Sequence, residues 1–146
     1  MKNWIFYAII CLGTLSCQRQ VSAADIAKIN GYWEIEKVVF PDGSKKDYTS
    51  STVYDYIEVK NDKGFRKKVT PQLDGTFLVD DSSEQLSLTQ KEGVYTIHYL
   101  TAYAKWDEEL VSVSDEQFIT RNNSKKEYYY KRAQSINLLP DGKKAQ

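Results

Sequence analysis

From residue 32 to residue 133 the chain falls into nine short runs of alternating apolar character: 32–40, 53–60, 65–70, 76–80, 85–90, 94–101, 107–113, 117–121 and 127–133. Helical spacing competes nowhere for long, and the breaks carry turn chemistry. Pro41, Asp42 and Gly43 follow the first run, and "KNDKG", "LDG", "KEG", "SDE" and "NNSKK" separate later ones. The 11 tyrosines and 3 prolines fit the same picture, because aromatic and β-branched side chains suit a half-buried pleated surface. Many short strands joined by tight turns predict an antiparallel barrel or a sandwich. A sandwich needs longer Greek-key crossovers, whereas only 41–52 and 101–106 exceed a tight turn here. The expected fold is therefore all-β, an antiparallel up-and-down meander barrel of 8–9 strands whose closure removes both sheet edges. Ile26 and Ile29, three apart just ahead of Gly31, add one short N-terminal helical turn.

A chain of 146 residues has room for one domain with its own core. Lysine plus arginine balance aspartate plus glutamate at 20 each, so no positive excess exists to neutralise a phosphate backbone, and nucleic acid is not an expected partner. The N-terminal segment reads as an address. Lys2 precedes an apolar run from Trp4 to Leu15, too short for the roughly 20 residues that span a bilayer, and Ser16 stands before Cys17. "LGTLSC" resembles a bacterial lipobox, with Thr14 where that pattern usually has leucine; the resemblance implies that Cys17 is acylated and becomes the mature N-terminus. The competing reading is cleavage after "VSA", residues 21–23, which yields a soluble secreted protein. Cys11 and Cys17 are the only cysteines, so the mature domain is expected to lack a disulfide. The expected division is 1–16 signal peptide, 17–24 tether, 25–133 barrel and 134–146 flexible tail.

In "NGYWEIEKVVF" a tryptophan follows a glycine by two residues at the start of the first run. Alternation puts Trp33, Ile35 and Val39 on one face, and Tyr128, Tyr130 and Arg132 on one face of the last run, with Tyr129 and Lys131 opposite. In a closed meander those two strands are neighbours, and the Arg132 guanidinium can lie over the Trp33 indole as a structural barrel-end pair. A G-x-W on the first strand and an arginine on the last, with a full meander between, resemble the lipocalins and the wider calycin superfamily. "NGYWEIEKVVFPDG", "KWDEELVSVSDEQFI" and "YYYKR" are similar to lipocalin-like lipoproteins of the Bacteroidetes, over about residues 25–133. The resemblance implies a barrel sealed at Trp33 and Arg132, open at the other end, and holding a small hydrophobic ligand. It also implies an outer-membrane lipid anchor, placed on the periplasmic face because "QRQVSAAD" lacks the acidic run that tags surface-exported members.

Candidates to line a cavity are Tyr54 or Ile57, Phe65, Phe77, Leu86, Tyr95 or Leu100, and Phe118. The alternative is that these side chains simply fill a small interior. Catalysis has little support. His98, the one histidine, shares a face with Val94, Thr96 and Leu100, and the acidic pairs Asp80–Asp81, Glu108–Glu109 and Asp115–Glu116 read as solvated strand ends or turns. Neither a metal nor a cofactor is expected. "KNDKGFRKK", residues 60–68, reads as a solvated hairpin tip. The functional expectation is a non-catalytic envelope lipoprotein that binds or carries a small apolar or amphipathic molecule. The alternative is a filled barrel that serves as an accessory or inhibitor subunit of another envelope protein.

Overall fold

A computed structural model describes residues 20–49, 51–79 and 81–133; Cys17 and the expected tail lie outside the described residues. A helical turn α1 (Ala23–Ile26) runs into a 3₁₀ turn (Ala27–Ile29). Ten strands follow: β1 (Gly31–Val39), β2 (Lys45–Asp47), β3 (Tyr54–Lys60), β4 (Lys63–Pro71), β5 (Phe77–Val79), β6 (Glu84–Lys91), β7 (Val94–Leu100), β8 (Lys105–Val113), β9 (Gln117–Asn122) and β10 (Glu127–Arg132). Strands β1, β3, β4, β6, β7, β8, β9 and β10 pair antiparallel in that order, and β10 returns to β1, which closes an eight-strand barrel. The meander barrel expected from the turn pattern is the fold observed.

The two remaining strands account for the difference from nine runs. β2 forms within the polar 41–52 loop, too short and too charged to stand out, and pairs with the far end of β1. β5 is no stave of its own. It pairs with Val69–Pro71 of β4, along the same edge that receives β6 at Lys63–Arg66, so β5 and β6 share one broken strand position.

Two register shifts decide which side chains enter the barrel. One lies between Ile35 and Lys37 of β1, the other between Leu110 and Ser112 of β8. A bulge adds a residue and flips the alternation beyond it. Beyond the first shift Val38, opposite Tyr128, is the buried residue, so Val39 does not share a face with Trp33 and Ile35 as strict alternation predicts.

The core gathers at the end where β1 begins and β10 finishes. Trp33, Ile29, Ile57 and Ile97 are wholly buried there with Phe118, Leu88 and Tyr130 around them. Phe118 meets Trp33 edge-on at 4.7 Å and stacks on Tyr130 at 4.4 Å. Ile26 and Ile29 of the N-terminal turns plug the floor, as does Val21, which the sequence division assigns to the tether. Asn30 fixes that plug to the wall as a second peptide group would: its amide donates to the Val59 carbonyl at 3.2 Å and its Oδ1 accepts from the Val59 N–H at 2.6 Å.

Candidate functional site

The sealed end is built around Arg132. Its guanidinium lies 3.8 Å from the Trp33 ring centroid, and the indole N–H donates to the Ile29 carbonyl at 2.7 Å. Nη1 donates to the Asn30 carbonyl at 2.6 Å, Nη2 to the Lys28 carbonyl at 2.7 Å and Nε to the Asp115 carbonyl at 2.8 Å. Gly31 is required beneath it. Its φ of +118° is a conformation that L side chains rarely adopt, and a Cβ there would stand 2.7 Å from Arg132 Nη1. All three acceptors are neutral backbone oxygens, two from the N-terminal turns and one from the connection between β8 and β9, so this arrangement ties the floor together.

The opposite half of the interior is polar. Arg66 of β4 is buried with its guanidinium 4.4 Å from the Tyr99 centroid and 5.9 Å from that of Trp106, and those two rings stack at 5.0 Å. Its Nε pairs closely with Glu84 and lies 4.0 Å from Asp55, which also binds Lys68 at 2.5 Å. Burial works against the Arg66 charge, but its surroundings outweigh that, and the guanidinium is held more firmly protonated than in water. On β8 the Trp106 indole donates to Glu108 Oε1 at 3.2 Å. Four buried oxygens have no hydrogen-bond partner among the described residues: Asp55 Oδ1, which keeps only its ion pairs, and Tyr99 Oη, Glu108 Oε2 and Thr120 Oγ1. Burial raises the Tyr99 and Tyr130 phenols well above their ordinary range, so both remain neutral.

Of the candidate lining residues, Ile57, Leu86, Tyr95 and Phe118 are buried in the core. Four others are corrected, because register places them outside the barrel. Tyr54 lies one residue from Asp55, which pairs with inward Trp33, and so faces away from the interior. Phe65 pairs with exposed Glu58 and packs 6.0 Å from Tyr56. Phe77 stacks on Tyr32 at 4.3 Å, and Leu100 is half exposed opposite Gln85. Strands β3 and β4 carry large side chains on both faces, so alternation identifies two faces without saying which is inner.

The polar layer itself comes from residues that the sequence reading set aside. "KNDKGFRKK" is largely wall, not a solvated tip: Gly64, Arg66 and Lys68 point in while Lys63, Phe65 and Lys67 point out. Glu108 and Glu109 are mid-strand, the first directed inward and the second paired with Arg121 outside. The signal that could have found Arg66 is its alternation with Gly64 and Lys68 opposite the face of Phe65.

His98 sits on the outer wall. Its Nδ1 lies 2.7 Å from Asp107 Oδ1 and its Nε2 2.8 Å from Thr89 Oγ1. The three groups are half exposed on a pleated surface, where such a row acts as cross-strand pairing. A cleft of about 710 Å³ runs beside it, with Ser87, His98 and Asp107 from the outer face and Leu86, Tyr99 and Trp106 from the inner face among its lining. This is a mixed, half-polar lining and not the apolar hollow expected of a purely hydrophobic cargo.

Residues 29–120 match the family described as Lipocalin-like domain. Among solved structures, a lipocalin-like protein from Bacteroides uniformis is similar at 10% identity and a TM-score of 0.46, over 73% of this chain and 99% of that one. An uncharacterised protein from Bacteroides eggerthii follows at 9% identity and 0.45, over 71% and 98%, and apocrustacyanin C2 at 11% and 0.44, over 82% and 67%. No curated protein matches. With a family match over most of its length and an eight-strand barrel that closes β10 onto β1, the chain belongs to the lipocalin-like domain family.

Proposed function

We propose that this chain is a non-catalytic, lipid-anchored envelope protein whose barrel takes up a small amphipathic molecule through the end remote from Trp33, with the polar end of the ligand meeting the Arg66 layer. The lipocalin-like barrel supports ligand binding at the level of fold. The observation that carries the finer reading is the group of buried oxygens on Tyr99, Glu108 and Thr120 without a partner among the described residues. Burying a polar group without a hydrogen bond costs about 1–3 kcal/mol, and such groups are retained where something completes them. A purely apolar cargo would leave them uncompleted, so the amphipathic option is favoured. The anchor rests on Cys17 and the segment before it. A second reading, recognition of another envelope protein, draws on the aromatic row of Tyr32, Tyr56, Phe65 and Phe77 on the outer wall, beside Leu78 at 65% exposure.

One experiment addresses both parts. Native mass spectrometry of protein extracted gently from its own cells is expected to show a chain beginning at an acylated Cys17 and a co-purifying small molecule that is lost on unfolding. An unmodified chain would end the anchor reading, and a stoichiometric protein partner with no small molecule would favour the second reading.

A further inference from the structure

The N-terminal segment is fixed to the sealed end from its first described residue. Gln20 lies against the β6–β7 turn, where a Cβ on Gly93 would stand 3.0 Å from its Oε1. Val21, Ile26 and Ile29 follow inside the floor at 7%, 8% and 0% exposure, and the Lys28 and Asn30 carbonyls are held by Arg132. Only Gln18 and Arg19 separate Gln20 from Cys17. Three residue steps of fully extended chain span at most about 11 Å. By contrast β1, with 9 residues rising about 3.3 Å each at a barrel tilt of about 40°, covers roughly 20–25 Å from floor to mouth.

A lipid on Cys17 is therefore too close to the floor to lie level with the mouth. Bringing it there would require residues 20–30 to leave the floor, which exposes three buried apolar side chains and takes two acceptors from Arg132. Charge does not oppose the closer arrangement. The turns of the sealed end at 60–63, 91–93 and 114–116 carry three lysines and four acids, so an anionic surface meets no strong field of either sign there. We infer that the sealed end is the face this protein turns to the bilayer, held there by the short link to Cys17, and that the mouth opens away from the membrane. Cargo is then exchanged with the aqueous side, from solution or from a soluble partner, and is not drawn directly out of the leaflet that holds the anchor. This rests on the proposal above that Cys17 is acylated.

The test places a fluorophore at either end of the acylated chain, purified from its own cells and reconstituted into vesicles of phosphatidylethanolamine and phosphatidylglycerol that contain a nitroxide-headgroup lipid as quencher. Acylation occupies the Cys17 thiol, so dye goes to one introduced cysteine: Lys91→Cys beside Gly93, or Tyr103→Cys, 98% exposed between β7 and β8 at the mouth. Quenching at position 91 is expected to exceed that at position 103 by about threefold or more. A flexible glycine–serine segment of about ten residues inserted between Arg19 and Gln20 adds about 17 Å of mean reach and should bring the two positions close to equality. Equal or reversed quenching in the unextended chain would overturn the inference while leaving the anchor intact. A contrast undiminished by the insertion would overturn the short link as its cause. A chain that does not float with the vesicles would overturn the anchor proposal and the inference together.

Discussion

Two arginines lie over aromatic rings at opposite ends of one barrel, and their partners differ in kind. Arg132 covers Trp33 and spends its N–H groups on three backbone carbonyls; Arg66 covers Tyr99 and faces two carboxylates. A carbonyl is neutral, cannot be substituted away and is held by the fold, so an arginine bound to carbonyls is locked into place as structure. A carboxylate carries charge and spare lone pairs, so it leaves chemistry over for a third party. The same side chain and the same cation–π geometry thus serve a seal at one end and a polar mouth at the other.

The comparison breaks most visibly under Arg132→Ala. Three carbonyls lose their donor and the indole loses its cover, and the expected loss is about 3 kcal/mol by urea denaturation, with a red shift in Trp33 emission. No second substitution can restore this, because the acceptors belong to the backbone. An unchanged midpoint would show that the floor is held by apolar packing alone.

Arg66→Met sharpens the contrast with an effect slightly smaller in the single variant and smaller still in combination. Removing one partner of a buried ion pair leaves the other uncompensated, and Glu84 is about a quarter exposed, which moderates the cost to about 2 kcal/mol. Here a second change should help: Arg66→Met with Glu84→Gln is expected to recover at least half of the lost stability. Failure to recover any would mean that Arg66 acts through packing on Tyr99 and Trp106 and not through charge.

The smallest effect concerns the plug. Lys28 first, and then Ser22, hold the Asp25 carboxyl well below the usual carboxylate range through hydrogen bonds, at 2.8 Å from Lys28 Nζ and 2.6 Å from Ser22 Oγ. A carboxyl that is lower in the folded than in the unfolded state adds stability that is complete above the unfolded value of about 4 and is lost as pH falls toward the folded one. Melting temperature should therefore decline on acidification below about pH 4, and less steeply in Asp25→Asn. Parallel curves for the two proteins would remove Asp25 from the account.

How much of this was legible in the sequence follows from what each feature depends on. The Trp33 and Arg132 positions are visible because they lie at the starts and ends of runs and because closure makes those runs neighbours. Ile26 and Ile29 are visible from their spacing. Val38 is hidden by a bulge that leaves no mark in "EIEKVV", since Glu36 between Ile35 and Lys37 fits the polar face of an unbroken strand equally well. Phe65 and Phe77 were misplaced because hydrophobicity alone locates the interior, and this barrel puts aromatics outside and charge inside along β3 and β4. Arg66, Asp55 and Glu108 were passed over for the same reason: a charged residue in a strand reads as solvent-facing until its partners across the barrel are known.

The Arg132 hydrogen bonds reach back 102 and 104 residues, to Asn30 and Lys28. During synthesis the floor therefore stays unfinished until the final strand has emerged, however early the plug and β1 are made. Contacts this distant along the chain are slow to form. Until they form, the edges of β1 and β9 that β10 will cover stay open to pairing with a neighbouring copy, so the interval before completion is when this protein is most prone to aggregate.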